Sequence, residues 1–443
     1  MQMLKTFAMG GVHPPQEKRS SDQSIIYGNI PEQLWIPVNQ HIGKPCEVVV
    51  ERRAVVKRGD ILAKSTGYVS SNVHAPVDGI VDKIIRFPQL GGQSGDCILL
   101  KPSEPGRSYK EIIESENTTD IDIDSMTPKL IRSKIEEAGI VGMGGAGFPT
   151  HVKLSPPADK VIDTLIINGA ECEPYITSDH RVMLEKSDEL FLGIQVLQKM
   201  FNGVPVYIGV EVNKPDAIRL LERKSKNYNN IFISPLKVKY PQGGEKQLIK
   251  AILDREVPSK NLPMDVGVVV QNVSTVIAIH DAVYYNRPLT GRVVTIAGNL
   301  VHHPGNIMLP VGTPVSTIIK DFEIDSDRVR MFISGGPMMG KTSFSFESPI
   351  TKTTSALLFF DESNFVNRVE NPCIRCGSCI TVCPMGLTPV TYTDMIRANK
   401  MDKSAKEAIL DCIECGSCSY NCPANRKLVH WMRLGKNMIR REN

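Results

Sequence analysis

The 443-residue sequence predicts a multidomain fold of α/β plus β architecture, ending in an α-helical, cysteine-rich part. Three observations predict it. Short apolar runs broken by turn residues fill the first hundred positions, strands and helices alternate from Lys160 to Leu253, and one twelve-residue cysteine pattern occurs twice after Pro372. At roughly 100 to 200 residues per domain the length supplies material for about three domains, and a hydrophobic content of 41% can fill their cores. The net charge of +4 decides little, and no nucleic-acid partner is expected. The most apolar stretch, Val266 to Ile279, is broken by Gln271, Asn272, Ser274 and Thr275. No segment approaches the roughly 18 to 20 apolar residues that cross a bilayer, so any membrane association is expected through partners or a surface contact.

In the first part, residues 1–105, brief apolar runs at Val48 to Val50, Ala54 to Val56, Ile61 to Ala63, Ile80 to Ile85 and Cys97 to Leu100 read as strands. Turns at Lys57-Arg58-Gly59-Asp60, Pro76-Val77-Asp78-Gly79 and Gly91-Gly92 separate them. Gly59-Asp60-Ile61-Leu62 followed by His74-Ala75-Pro76-Val77-Asp78-Gly79 resembles the barrel-sandwich fold of biotinyl and lipoyl carriers. Those carriers modify a lysine at the hairpin tip, and the matching position here is Tyr68, so the shape is expected without the swinging-arm chemistry.

After an acidic connector, Asp120 to Pro128, helical spacing over Lys129 to Ala138 leads into Gly142-Met143-Gly144-Gly145-Ala146-Gly147-Phe148-Pro149-Thr150-His151-Val152-Lys153. A dinucleotide fingerprint needs a strand before the glycines and a helix opening at them. Here a helix precedes them, and Pro149 follows too soon. The small residues still allow backbone N–H groups to approach an anion or a flat ring, and Lys153 can neutralise a phosphate. The strand Lys160 to Ile167 then ends in Asn168-Gly169-Ala170-Glu171-Cys172-Glu173-Pro174, the strand end at which open α/β sheets place ligands. Helix Asp188 to Met200, strand Val204 to Gly209, helix Pro215 to Arg223 and strand Ile231 to Pro235 follow. Gly243-Gly244-Glu245-Lys246 opens the helix Gln247 to Leu253, whose N-terminus can face the same cleft.

From Asn286 the pattern returns to β, with Arg292 to Gly298 and Val329 to Ser334 as strands and Gly335-Gly336-Pro337-Met338-Met339-Gly340 after them. The C-terminal repeats are Cys373-Ile-Arg-Cys376-Gly-Ser-Cys379-Ile-Thr-Val-Cys383-Pro384 and Cys412-Ile-Glu-Cys415-Gly-Ser-Cys418-Ser-Tyr-Asn-Cys422-Pro423. Each reads C-x2-C-x2-C-x3-C-P, the bacterial ferredoxin spacing, in which the fourth cysteine ligates the other of two [4Fe-4S] clusters. The expected ligand sets are therefore crossed: Cys373, Cys376, Cys379 and Cys422 for one cluster, and Cys412, Cys415, Cys418 and Cys383 for the other. Structural zinc is the alternative, but it takes ligands as two separated pairs. Clustered cysteines argue for a reducing compartment rather than a disulfide framework. Cys46, Cys97 and Cys172 read as small buried residues.

The runs Gly142 to Lys153, Asn168 to Pro174, Gly244-Glu245 and Gln271-Asn272-Val273-Ser274-Thr275 stand in the order found in the flavin- and NADH-binding subunit of respiratory complex I, which the span Pro128 to Tyr285 resembles. That resemblance implies FMN among Gly142, Gly144, Gly145, Ala146, Gly147, Lys153, Asn168, Glu171, Glu245, Asn272 and Thr275, with Glu173 on the NADH side. Met143, Ala170 and Lys246 depart from the complex I pattern. It also implies an FMN/NADH-binding domain at 120–285, a small β-grasp (SLBB-like) module at 286–345 that spaces and docks, and a 2x[4Fe-4S] ferredoxin domain at 365–443.

With Phe7-Ala-Met-Gly10-Gly11-Val-His13-Pro14-Pro15 at the start, the whole order resembles the C subunit of the Rnf electron-transport complex. The resemblance implies a peripheral subunit on the cytoplasmic face of a membrane complex, exchanging electrons between NAD(H) and ferredoxin and coupling them to ion translocation. Partners would be the other subunits, an iron–sulfur subunit among them, and ferredoxin directly or through one of these. The cobalamin reductase of propanediol-utilising microcompartments shares the flavin and ferredoxin parts and is the alternative; a flavin-free electron-carrier scaffold is a third. In each reading with flavin, cofactors carry the chemistry, and His13, His41, His74, His151 and His180 are expected to be packed or solvated. The basic tail, with Leu428, Trp431, Met432, Met438 and Ile439 at helical spacing, reads as a helix capping the ferredoxin domain, with a membrane-surface helix as the other option.

Overall fold

The computed structural model describes residues 4–114, 122–364 and 369–442; of the acidic connector, Asp120 and Ile121 lie outside them. Seventeen strands are assigned among the described residues. They form four sheets. After β1 (Ile25–Tyr27) come β2 (Leu34–Pro37), β3 (Glu47–Val48), β4 (Val55–Val56), β5 (Ile61–Lys64), β6 (Val73–His74), β7 (Gly79–Pro88) and β8 (Ser94–Pro102). Sheets β2-β8-β7-β4 and β3-β5-β6 face one another across a core of Leu34, Ile36, Leu62, Ala63, Val81, Ile98 and Leu100. Pairing lengthens β7 and β8 well beyond their apolar runs, because a two-stranded ladder continues over polar residues wherever both strands stay extended. Tyr68 is exposed at its hairpin tip.

The second unit is a parallel sheet in the order β11-β10-β9-β12, from β9 (Thr164–Gly169), β10 (Val206–Glu211), β11 (Ile231–Leu236) and β12 (Val268–Asn272). β9, β10 and β12 are almost continuously buried, as helix-covered parallel strands are, while the edge strand β11 exposes Phe232. Helices Pro128–Glu137, Ser187–Met200 and Val273–Tyr285 share the large core with Leu165, Ile167, Val206 and Ile208. The chain runs β9, β10, β11 to one side and returns to place β12 on the other, so the topological switch point lies between β9 and β12. The glycine run precedes β9 and follows a helix, which excludes the dinucleotide fingerprint geometry.

The third sheet, β1-β14-β13-β17-β15-β16, is built from β13 (Gly291–Ala297), β14 (Gly305–Pro310), β15 (Met331–Ser334), β16 (Lys341–Ser343) and β17 (Ala356–Phe360), with β1 parallel to β14. It takes in β17 and β1, both outside the expected 286–345 span. An N-terminal strand pairing some 280 residues away leaves no local signal in sequence. The last part is helical: Ser378–Thr381, Pro389–Arg397, Lys403–Ile409, Ser417–Tyr420 and Leu428–Glu442. The final helix buries Leu428, Met432 and Ile439, and a Cβ on its Gly435 would lie 2.6 Å from Ile396 Cδ1. Its apolar face is thus used inside the domain, in line with the capping expectation. Among the described residues no helix is long and apolar enough to cross a membrane.

Candidate functional site

At the switch point, Asn168 and Asn272 are register partners at the ends of β9 and β12. Asn272 caps the Val273–Tyr285 helix, its Oδ1 accepting the Ser274 N–H at 2.9 Å. Its amide donates to Asp179 Oδ2 at 2.6 Å, and Ser274 Oγ donates to Asp179 Oδ1 at 2.7 Å. Asp179 was not singled out from the sequence; nothing in its local pattern marks it. Asn168 Nδ2 donates to the Gly243 carbonyl at 2.9 Å, tying the strand end to the turn that opens the Glu245–Leu253 helix. Two helix N-termini therefore face this strand end, a setting suited to an anion.

The glycine run closes on itself through Gly142 N–H to the Phe148 carbonyl at 2.9 Å. Thr275 Oγ1 accepts the Met143 N–H at 3.0 Å, which fixes the loop against the Val273–Tyr285 helix. A Cβ on Gly144 would approach Asn272 Cβ to 3.0 Å, whereas one on Gly145 would meet nothing within 4 Å and project into open space. Gly147 adopts φ +69°, where a side chain is strained. Lys153 Nζ lies 2.5 Å from Glu245 Oε1, both partly exposed. Contacts thus link Gly144 to Asn272, Met143 to Thr275, Asn168 to Asn272 and to the turn before Glu245, and Glu245 to Lys153, while Gly147 packs toward Gln40 and Thr353.

The two remaining acids are held by backbone N–H groups of the chain itself. Glu171 is buried and accepts the N–H groups of Asp179 at 2.8 Å and His180 at 3.4 Å, at the start of the Ser178–Glu185 helix. Burial pushes its carboxyl above the ordinary range, partly opposed by Lys18. Lys18 Nζ donates to the carbonyls of Glu171, Glu173 and Ile176 at 2.8, 2.9 and 2.6 Å, so one ammonium clamps the whole turn. Glu173 receives the Met338 and Met339 N–H groups at 3.0 and 2.8 Å. Burial raises its carboxyl too.

The eight repeat cysteines line two cavities in the crossed combination. Cys373, Cys376, Cys379 and Cys422 border one, together with Arg375, Val390 and Leu428. Cys383, Cys412, Cys415 and Cys418 border the other, with Met385, Ile413 and Met432. Positive φ at Arg375 and Gly377, matched by Glu414 and Gly416, winds both loops alike. Among the described residues no three His, Cys, Asp or Glu converge as a single ion requires. Thiolates spread around a cavity instead fit a cube, in which each cysteine holds a different iron. Burial pushes the Cys412 thiol up to about 11 and Cys418 to about 12. Metal binding has to overcome that by stabilising the thiolate.

The other expectations follow simply. Cys46 and Cys97 are buried, and half-buried Cys172 accepts the Gly243 N–H at 3.3 Å. His13 is exposed, His41, His74, His151 and His180 are buried, and His180 Nε2 bonds Asp216 at 2.8 Å.

A glycine loop held at the ends of a parallel sheet, together with two four-cysteine cavities, is the arrangement of a flavin and iron–sulfur electron-transfer protein. Matches to known families agree: the RnfC barrel sandwich hybrid domain over residues 5–104, the Nuo51 FMN-binding domain over 135–281 and a 4Fe-4S dicluster domain over 365–425. The chain is 43% identical over 438 residues to the C subunit of the proton-translocating ferredoxin:NAD(+) oxidoreductase complex of Clostridium ljungdahlii, with 98% of this chain and 94% of that one covered. It is 39% identical to the C subunit of the Na(+)-translocating ferredoxin:NAD(+) oxidoreductase complex of Acetobacterium woodii, with 97% and 96% covered. Against the C subunit of the ion-translocating oxidoreductase complex of Rhodobacter capsulatus it is 38% identical, with 98% and 84% covered. The chain belongs to this family of Rnf C subunits. A NAD+-reducing [NiFe]-hydrogenase shares the fold at TM-score 0.50 and 19% identity, over 72% of this chain and 66% of that one.

Proposed function

We propose that the protein is the electron-input subunit of an ion-translocating membrane complex, exchanging hydride between NAD(H) and FMN and passing single electrons through two [4Fe-4S] clusters toward ferredoxin or a partner iron–sulfur subunit. It would sit peripherally on the cytoplasmic face. When bound, FMN supplies the conversion between a two-electron hydride and one-electron carriers. Gly142, Gly144, Gly145, Ala146 and Gly147 would give its ring close backbone approach. Lys153 and the helix beginning at Glu245 would neutralise its phosphate, while Asn168, Asn272 and Thr275 hold the cradle's walls; Glu171 would act one layer back, by fixing the 171–176 turn. Cys373, Cys376, Cys379 and Cys422 would hold an outer cluster, and Cys412, Cys415, Cys418 and Cys383 an inner one. The six-stranded sheet, whose strands β14-β13-β17-β15-β16 follow a β-grasp order, would be the SLBB-like module that docks the ferredoxin domain.

The observation that carries this reading is the position of the inner cysteine cavity against the flavin-side chain. Tyr240, just after β11, donates its hydroxyl to the Cys415 carbonyl at 2.8 Å. Gly11 N–H donates to the Val382 carbonyl at 2.9 Å, and Gln247 Nε2 reaches the Pro384 carbonyl at 3.4 Å. Anaerobic purification with iron, sulfide and flavin quantified, followed by NADH titration under EPR, tests it. Eight irons, one FMN and NADH-reducible [4Fe-4S] signals are expected, to within about one iron. Iron without flavin and without NADH reduction would favour a carrier scaffold, and rapid corrinoid reduction by the isolated protein would favour the cobalamin reductase.

A further inference from the structure

The carboxylate of Glu173, on a half-buried side chain, is taken up by backbone N–H groups of the loop after the strand Met331–Ser334. Oε2 accepts the Met338 N–H at 3.0 Å and Oε1 the Met339 N–H at 2.8 Å, while the Tyr240 hydroxyl stands 3.5 Å from Oε1. A Cβ on Gly336 would lie 2.2 Å from Oε2, so only glycine lets the loop close this far over the acid. The same loop reaches the ferredoxin domain: a Cβ on Gly416 would lie 2.8 Å from the Met338 carbonyl, and Arg433 Nη2 donates to the Met339 carbonyl at 3.4 Å. Tyr240 is 2% exposed. A phenol has one hydrogen, and the 2.8 Å contact to the Cys415 carbonyl is the better bond for it.

Glu173 and Tyr240 thus reach Cys415-Gly416 by two routes, one through the loop 335–340 and one direct. We infer that Glu173 and Tyr240 are positioning residues for the inner cluster, holding the loop of Cys412, Cys415 and Cys418 against the flavin domain, rather than contacts for nicotinamide. This rests on the two-cluster reading above. A hydrogen bond to the backbone of a ligand residue also tunes the metal, because outer-shell donors and their dipoles help to set cluster potentials. The Tyr240 O–H turns its positive end toward the Cys415 carbonyl, so removing it leaves that carbonyl dipole unopposed and disfavours the reduced cluster.

The test is an anaerobic redox titration followed by EPR on the full holoprotein, comparing wild type, Tyr240→Phe and Glu173→Gln, with KM for NADH measured using ferricyanide as acceptor. Tyr240→Phe should keep its flavin and iron and lower the midpoint of one cluster only, by up to a tenfold change in its redox equilibrium, about 59 mV for one electron. KM should stay within about twofold of wild type, since a change below about 0.4 kcal/mol is not a lost contact. Glu173→Gln, which leaves one loop N–H without its acceptor, should perturb that same cluster. Unchanged midpoints in both variants, or a tenfold rise in KM with midpoints unchanged, would overturn the inference. Wild type lacking flavin or one cluster would instead contradict the function reading on which it stands.

Discussion

Cys376 and Cys415 hold the same place in two repeats of one pattern, yet Cys376 is exposed and Cys415 is buried. The difference extends to their neighbours. A Cβ on Gly377 would meet nothing within 4 Å, while one on Gly416 would strike the Met338 carbonyl at 2.8 Å. Gly10 packs so closely against Cys383 that a Cβ would lie 2.5 Å from its carbonyl carbon. The counterpart of Cys383 in the second run, Cys422, is half-buried beside Asn421 and Arg426. Even the thiols diverge: the hydrogen bond with Ser378 lowers Cys376 below its ordinary range, whereas burial raises Cys415. One duplicated sequence has therefore acquired an inner face toward the flavin domain and an outer face toward solvent, and that asymmetry orders the two proposed clusters.

The largest effect should come from closing the cradle on which the ordering depends. Gly145→Ala adds a methyl group where the structure leaves open space, so it should leave thermal stability of the flavin-free protein unchanged while weakening FMN retention by about fivefold or more, as overpacking costs of about 1–3 kcal/mol imply; fluorescence of released flavin reads it. Next, Gly416→Ala and Gly377→Ala both place a side chain at positive φ, +79° and +77° respectively. Both share that backbone penalty of roughly 1–2 kcal/mol, but only Gly416→Ala also displaces the Met338 carbonyl. Gly416→Ala should lower the anaerobic melting midpoint several degrees further, and equal midpoints would break the comparison.

A smaller, purely electrostatic effect is expected at Lys436, whose Nζ is 2.7 Å from both the Cys412 carbonyl and Glu414 Oε1. Lys436→Met removes a cation beside the inner cavity, so one cluster midpoint should fall while the other stays, as redox titration under EPR would reveal. The smallest is a relaxation effect: a soluble dysprosium chelate should speed the relaxation of the outer cluster's EPR signal more than that of the inner, because Cys376, Ile374 and Ile380 are exposed.

Much of this was legible in the residues. The C-x2-C-x2-C-x3-C-P spacing of the two cysteine runs carried the crossed sets, and each set of four borders one cavity. The alternation from Lys160 to Leu253 carried the parallel sheet, since buried strands and amphipathic helices leave distinct periods. What could not be read were contacts between distant segments. The Lys18 clamp on the 171–176 turn spans more than 150 residues, and Tyr240 meets Cys415 across 175. Glu173 was expected on the NADH side by its resemblance to the complex I subunit, and local spacing is silent about the loop 165 residues later whose Met338 N–H it accepts. The Asp179 network with Asn272 and Ser274 was invisible for the same reason.

The order of the two clusters is tested most directly by NADH reduction of Cys415→Ala and Cys376→Ala, each purified anaerobically and monitored by EPR. The account predicts that Cys376→Ala keeps one promptly NADH-reducible [4Fe-4S] signal and that Cys415→Ala, with its outer cluster assembled, shows none. Prompt reduction in Cys415→Ala together with its loss in Cys376→Ala would contradict it.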